Sequence, residues 1–451
     1  MEQEQSKDFL GREPVGKLLV KLSLPTVAAQ LVNMLYNIVD RIYIGHIPVT
    51  GAKALTGVGV CMPVILIVSA FAALVGAGGA PLASISLGKK DPDAAERILG
   101  NCFTLQLIIS AILTALLLIF ARPLLLTFGA SENTIGYALE YMNIYAIGTI
   151  FVQLTLGMNA FITSQGFAKT GMLSVVIGAA ANIVLDPILI FGFNMGVAGA
   201  AIATVFSQAV SCVWILMFLT GRKTILRIRR KNLRLSPAVF LPCLSLGLAT
   251  FIMQASESVI AVCFNASLLK YGGDIAVGAM TILTSVMQFA LLPLHGLGQG
   301  AQPIISYNYG ARNMDRVHAA YRLLLKLSIC YSTTFWALVE LFPHAFASIF
   351  TNDAALLAYT ARALRIYIAI LGLFGIQVAC QMTFTALGNA KSSILVAVMR
   401  KFILLIPLIF ILPHILVNDP TTAVYLAEPA ADLCSVIFTV VLFRREFGKL
   451  K

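Results

Sequence analysis

Asp40 lies deep in an apolar stretch, LVNMLYNIVDRIYIG, where Asn33, Tyr36, Asn37 and Asp40 recur at i, i+3, i+4 and i+7. On a helix this spacing makes a single polar face. A second carboxylate, Asp186, precedes a proline in AANIVLDPILIFG, with Asn182 one turn earlier on the same face. Pro187 cannot donate the helical hydrogen bond to the carbonyl at 183, and its ring opens that turn. A carboxylate beside a freed carbonyl forms an oxygen cage suited to a proton or a small cation. Asn159 (GMNAFITSQG) and Thr204 (GAAIATVFSQ) add neutral oxygens on neighbouring segments. Each residue also has an ordinary structural reading: Asp40 paired with Arg41, Asp186 satisfied at a kink, Asn159 and Thr204 bonding between helices.

Further along, Glu257 stands mid-segment in FIMQASESVIAVCFN with Gln254 at i−3, a second carboxylate able to attract a cation. Arg400, in VAVMRKFILLIP, reads as the only deep base there, and Glu428 and Asp432 (AEPAADL) are its candidate structural partners. Glu340 belongs near an interface. Other chemistry is thin. The histidines are isolated, HExxH, G-x-S-x-G and Walker A patterns are missing, and the eight cysteines are scattered singly with no C-x-x-C. No enzymatic role is expected.

These charges matter because of what surrounds them. Of 451 residues, 59% are hydrophobic and 12% charged, about half the charge of a soluble domain, for which roughly 25% is usual. Cys102–Ala121 contains 20 residues without a charge, and Ala179–Thr220 carries only Asp186 in 42. Runs of about 20 apolar residues span a hydrocarbon core of ~30 Å. Ionisable groups at that depth are costly and mark functional sites. A polytopic membrane protein follows, and cytosolic enzymes, secreted disulfide scaffolds and nucleic-acid-binding domains are excluded. The net charge of +12 is expected to meet anionic lipid headgroups rather than nucleic acid. Met1–Lys21 lacks the short apolar core and cleavage site of a signal peptide.

Twelve apolar segments position these groups, near 18–45, 52–78, 94–120, 134–160, 168–192 and 196–220, then 238–268, 274–301, 316–342, 355–385, 391–414 and 421–443. Between the sixes runs GRKTILRIRRKNLRLSP, with seven bases and no acid. An N-lobe (1–220), a basic linker (221–237) and a C-lobe (238–451) are expected. With a cytoplasmic N-terminus, inner stretches hold 22 bases against three in outer loops, which puts both termini in the cytoplasm. A shift of 222 residues carries Gly76, Gly78, Pro81, Ser84, Gly88 and Asp93 onto Gly298, Gly300, Pro303, Ser306, Gly310 and Asp315, and Gly166, Ala168 and Lys169 onto Gly388, Ala390 and Lys391. Six helices separate the copies, so the halves are parallel repeats about an axis along the membrane normal. GLGQG at 296–300 is read as a site of close helix packing.

The segments SLPTVAAQLVNMLYNIVDRIYIGHI, GAGGAPLASISLGKKDPDAAER, ANIVLDPILIFGFNMGVAGAAIAT and GLGQGAQPIISYNYGARNMDR resemble those of the multidrug and toxic compound extrusion (MATE) family, over nearly the whole chain. The resemblance implies two six-helix lobes and export of organic cations in exchange for sodium or protons. It places a DinF-like or MepA-like coupling site on Asp40, Asn159, Asn182, Asp186 and Thr204, of which Asp40, Asn182, Asp186 and Thr204 would be the ligands if the ion is Na+. Glu257 matches the seventh-helix carboxylate of other branches. The tenth-helix aspartate of the NorM branch has no counterpart in VACQMTFTALG. Tyr36, Asn37, Asn33, Glu257 and Gln254 would line the substrate cavity, with Pro187 as the kink. A flippase for lipid-linked precursors is the alternative within the same superfamily. The expected setting is a monomer in the cytoplasmic membrane, taking cationic or amphiphilic small molecules, with H+ or Na+ and no further cofactor.

Overall fold

The computed structural model describes residues 9–449. Lys7 and Lys451, two of the bases counted toward a cytoplasmic face, lie outside the described residues, as does the start of the segment read as lacking a signal peptide. The N-lobe consists of α1 (Val15–Gly45), α2 (Gly51–Gly88), α3 (Pro92–Thr127), α4 (Ile135–Ser164), α5 (Ala168–Pro187, continued by a π turn Ile188–Gly192) and α6 (Gly196–Thr220). A short helix, Phe9–Arg12, leads into α1. The C-lobe opens with 74 helical residues, Pro237–Gly310, broken at Gly273 where φ is 66°. Straight, this helix would run ~110 Å, several times the ~30 Å hydrocarbon core. It is therefore two spans, α7 (237–272) and α8 (274–310). Then follow α9 (Met314–Leu341), α10 (Ala354–Tyr367 and Leu371–Ala386, bent by 49°), α11 (Ala390–Ile415, with a π segment Met399–Leu405) and α12 (Pro420–Phe447).

The repeat extends to the backbone. Lys90 (φ 61°) and Arg312 (φ 58°), 222 residues apart, take the same left-handed conformation just beyond α2 and α8, and Gly166 and Gly388 do so beyond α4 and α10. Several helix ends run past the expected boundaries: α2 reaches Gly88 rather than 78, and α8 reaches Gly310 rather than 301. The cause is close approach between lobes. A Cβ on Gly88 would fall 2.0 Å from the Tyr307 carbonyl oxygen, and one on Gly310 would fall 2.0 Å from that of Ile85. Since 85 and 307 are themselves repeat partners, the seam has pseudo-two-fold symmetry, the intramolecular form of an isologous interface.

Contacts between lobes gather at the end that carries the linker. Thr26 donates to the Gly296 carbonyl (2.6 Å), Ser23 to that of Leu297 (3.4 Å), and Gln30 meets Gln299 (3.3 Å). Farther along α2 and α7 an edge-on pair, Phe71 and Phe251, has centroids 4.9 Å apart. At this end Leu18, Leu19 and Leu22 share one core with Ala301, Ile304, Ile305 and Leu324. At the opposite end the cores are separate: Ile44, Val58, Leu113, Leu117 and Met142 in the N-lobe, and Phe264, Leu268, Tyr367, Ile409 and Tyr425 in the C-lobe. The lobes thus meet at the linker end and part toward the other, leaving a cleft between them.

Candidate coupling and substrate site

Helical spacing carries the α1 side chains to the cleft wall. Asn37 folds back, its Nδ2 donating to the Asn33 carbonyl (2.6 Å), and Asn33 itself is exposed. Tyr36 reaches the side chains of Asn37 and Gln208. Asp40 faces Asp186 of α5 closely enough for the carboxyls to share a hydrogen bond. Arg41 is exposed, and Asp40 Oδ1 has no hydrogen-bond partner among the described residues. On α5, Asn182 and Asp186 are fully buried, with Asn182 Nδ2 donating to Asp186 Oδ1 (3.3 Å). From α6, Thr204 lies beside Tyr141 of α4, which stacks on Tyr145 (6.3 Å) and lies near Asp40.

One neighbourhood therefore holds Tyr36, Asp40, Asn182, Asp186, Thr204, Tyr141 and Gln208. Buried acceptor oxygens without a donor are Asp40 Oδ1, Asn182 Oδ1, Asp186 Oδ2 and Gln208 Oε1. Burying such atoms unpaired is unfavourable, and two carboxylates side by side at low dielectric cannot both stay ionised without a partner. The arrangement suits a proton shared by the acids, or a small cation held by their oxygens. The π turn after Pro187 lets α5 pass through the proline and remain helical.

Asn159 stands apart. Its Nδ2 donates to the Gly171 carbonyl (3.4 Å), three turns from Asn182 toward the linker end. Tyr141, Tyr145 and Gln208 were not singled out from the sequence, although the signal was there. Gln208 is i+4 from Thr204, and the tyrosines are i, i+4 on one face of α4.

The C-lobe wall differs. Glu257, about half exposed, is ion-paired with Lys401 (2.5 Å), whose side chain is 4% exposed. Arg400 is therefore not the sole deep base: Lys401 is buried beside it. The adjacent pair looks like one charged step in the sequence, yet the π segment Met399–Leu405 contains both and buries both. Arg400 bonds Glu428 (2.9 Å) and Asp432 (2.7 Å) and lies over the Phe374 ring (4.5 Å). Gln254 is exposed on the same α7 arm. Glu257 is thus a carboxylate with its own counter-charge, not a bare attractor of cations.

The MatE sequence profile matches residues 25–188 and 249–411, once in each half and over most of the chain. The chain belongs to the MatE family. Its MatE relatives include the multidrug export protein MepA of Staphylococcus haemolyticus, 24% identical over 90% of this chain and 88% of that protein. MepA of Staphylococcus aureus is 23% identical over 96% and 95%. A solved outward-facing multidrug resistance transporter of the MATE family and MOP superfamily superposes with a TM-score of 0.92, at 25% identity, over 99% of this chain and 98% of that one. A MATE transporter solved in a bent conformation gives 0.91 at 24% identity, over 98% and 97%. As a MatE protein, the chain is a multi-pass membrane transporter of a multidrug efflux family that acts on small molecules.

Proposed function

We propose that the protein exports organic cations across the cytoplasmic membrane in exchange for protons or sodium ions, by alternating access. The observation that carries this reading is the facing pair Asp40 and Asp186, surrounded by acceptor oxygens that lack donors. A proton or Na+ entering from the open end stabilises the charged cluster, and a cationic substrate competes for the same negative charge. Occupancy by one therefore expels the other, with each 1.4 kcal/mol of differential affinity between facing states worth a factor of about ten. The basic linker and the 22-to-three asymmetry of bases support a cytoplasmic closed end, with the cleft facing outward. Neutral Asn182, Thr204, Tyr36 and Tyr141 orient the acids, and the apolar remainder of the cleft takes the hydrophobic body of the substrate.

The test is uptake of ethidium into inside-out proteoliposomes, with pH and sodium gradients imposed separately. One gradient should drive uptake in the parent protein, and Asp40→Asn and Asp186→Asn should each abolish it while remaining monodisperse. Parent-like uptake in either variant, or indifference to both gradients, would refute antiport at this site.

A further inference from the structure

The segments leading into the first helix of each half are held by the opposite lobe. The leader of α1 lies against the C-lobe. Arg316 of α9 donates from Nη2 to the carbonyls of Leu10 (3.1 Å) and Glu13 (2.6 Å), and from Nε to Asn308 Oδ1 (3.1 Å). Asn308, fully buried, adds a bond from Nδ2 to the Leu10 carbonyl (3.0 Å). Leu10 is 1% exposed, and Phe9 packs on Gly166 of the N-lobe, so the leader is wedged between lobes.

The leader of α7 is the linker, and it lies against the N-lobe. Gln165, fully buried, accepts on Oε1 from Thr224 Oγ1 (2.9 Å), Ile225 N (2.8 Å) and Leu226 N (2.9 Å). Asn101 of α3 bonds the Asn232 carbonyl from Nδ2 (3.3 Å) and accepts from Ser236 N (2.7 Å). Arg229 pairs with Glu96 (2.8 Å). Leu10 and Asn232 are 222 residues apart, and the carbonyl of each accepts from an asparagine amide of the lobe it crosses to. The two attachments are reciprocal, and the held carbonyls of Leu10 and Asn232 correspond under the repeat, although the side chains that hold them do not.

We infer that Arg316 and Gln165 are positioning residues of the transport cycle: each clamps the leader of the other half's first helix, and the two clamps hold the linker end shut until both let go. This rests on the alternating-access reading. Opening the linker end requires α1 to leave α8 and α7 to leave α2, and both leaders sit across that path. The leader groups held are mostly main-chain, carbonyls that accept at Leu10 and Glu13 and N–H groups that donate at Ile225 and Leu226, so the clamps survive variation of most leader side chains. The donor Arg316 brings charge assistance and a two-pronged grip to its clamp.

Cys243, buried at the seam on α7, supplies the readout. The other seven cysteines are replaced, and the rate at which a water-soluble maleimide labels Cys243 from the linker side is measured in membrane vesicles without any gradient. Arg316→Ala, Leu10→Asp and Gln165→Leu should each raise that rate about tenfold, the net worth of one or two hydrogen bonds. Arg316→Ala combined with Leu10→Asp should add nothing further, since both release one clamp, whereas Arg316→Ala with Gln165→Leu should multiply. Rates within about twofold of the parent, the range of ordinary surface changes, would overturn the inference. So would multiplication between Arg316→Ala and Leu10→Asp. A fall in transport with unchanged labelling would likewise overturn it, making the leaders hinges rather than latches. Should Arg316→Ala fail to fold, Arg316→Lys, which loses the two-pronged grip, takes its place. Because labelling is read without a gradient, failure of antiport would appear separately, as gradient-indifferent ethidium uptake by the parent.

Discussion

Asp40 and Asp186 stand near no base of their own lobe with which they form an ion pair among the described residues, whereas Glu257 meets Lys401 and Glu428 and Asp432 share Arg400. The N-lobe wall therefore holds two carboxyls without a basic partner among the described residues, and the C-lobe wall pairs its own acids with bases. Lys401→Met keeps the stem and removes the ammonium, leaving Glu257 half exposed and unpaired. Affinity for a divalent organic cation should rise about tenfold, within the range of close charge pairs, while a monovalent one changes little. Glu257→Gln in the same background should cancel the gain; calorimetric titration in detergent measures both, and a gain that survives Glu257→Gln removes Lys401 from specificity. Gln208→Leu takes one acceptor from the proposed coupling cluster and should weaken activation by the driving ion about fivefold to tenfold, the scale of one hydrogen bond, at unchanged maximal rate. An unaltered ion dependence of uptake would take Gln208 out of the site. Asp40 and Asp186 were legible because a charge in an apolar run stands out. Gln208 was not, since a neutral amide carries no such contrast, and the partner of Glu257 lies 144 residues away, a pairing that no local pattern encodes.

Among elements, α5 is the one whose shape the site depends on. Pro187 withholds a hydrogen bond from the carbonyl at 183, and the π turn Ile188–Gly192 absorbs the irregularity. Pro187→Ala restores a donor and lets the helix regularise, which rotates everything after Asp186 against α6. Gradient-driven uptake should fall about tenfold, as for a misplacement at a functional site, with substrate binding near the parent value. Loss of binding in parallel with rate would make the proline merely structural. The number and order of spans were readable from apolar runs, and the inter-half repeat from one constant offset. Helix ends were less readable: the glycine-rich stretch after 76 has the composition of a loop but remains helical to Gly88, because its small residues serve contact with the other lobe.

At the scale of the molecule, the seam at the linker end is the feature that positions everything else. Gly88→Val and Gly310→Val each place methyl groups where the other lobe has a main-chain carbonyl. Each should cost about 1–3 kcal/mol, the usual penalty of overpacking, and by symmetry the two costs should agree. Thermal unfolding in detergent measures them, and a loss confined to one variant would show that the halves do not meet as equivalent surfaces. The sequence carried the symmetry through its paired glycines; the state of the cleft depends on which ends of the lobes touch, and this is written in no single segment.

Because both halves belong to one polypeptide, a substitution on one side of the seam is felt once, whereas in a dimer of identical six-helix chains it would be felt twice. Fusion therefore freed each half to diverge without consulting its twin. One copy could leave Asp40 and Asp186 without a basic partner, and the other could pair Glu257, Glu428 and Asp432 with bases of its own.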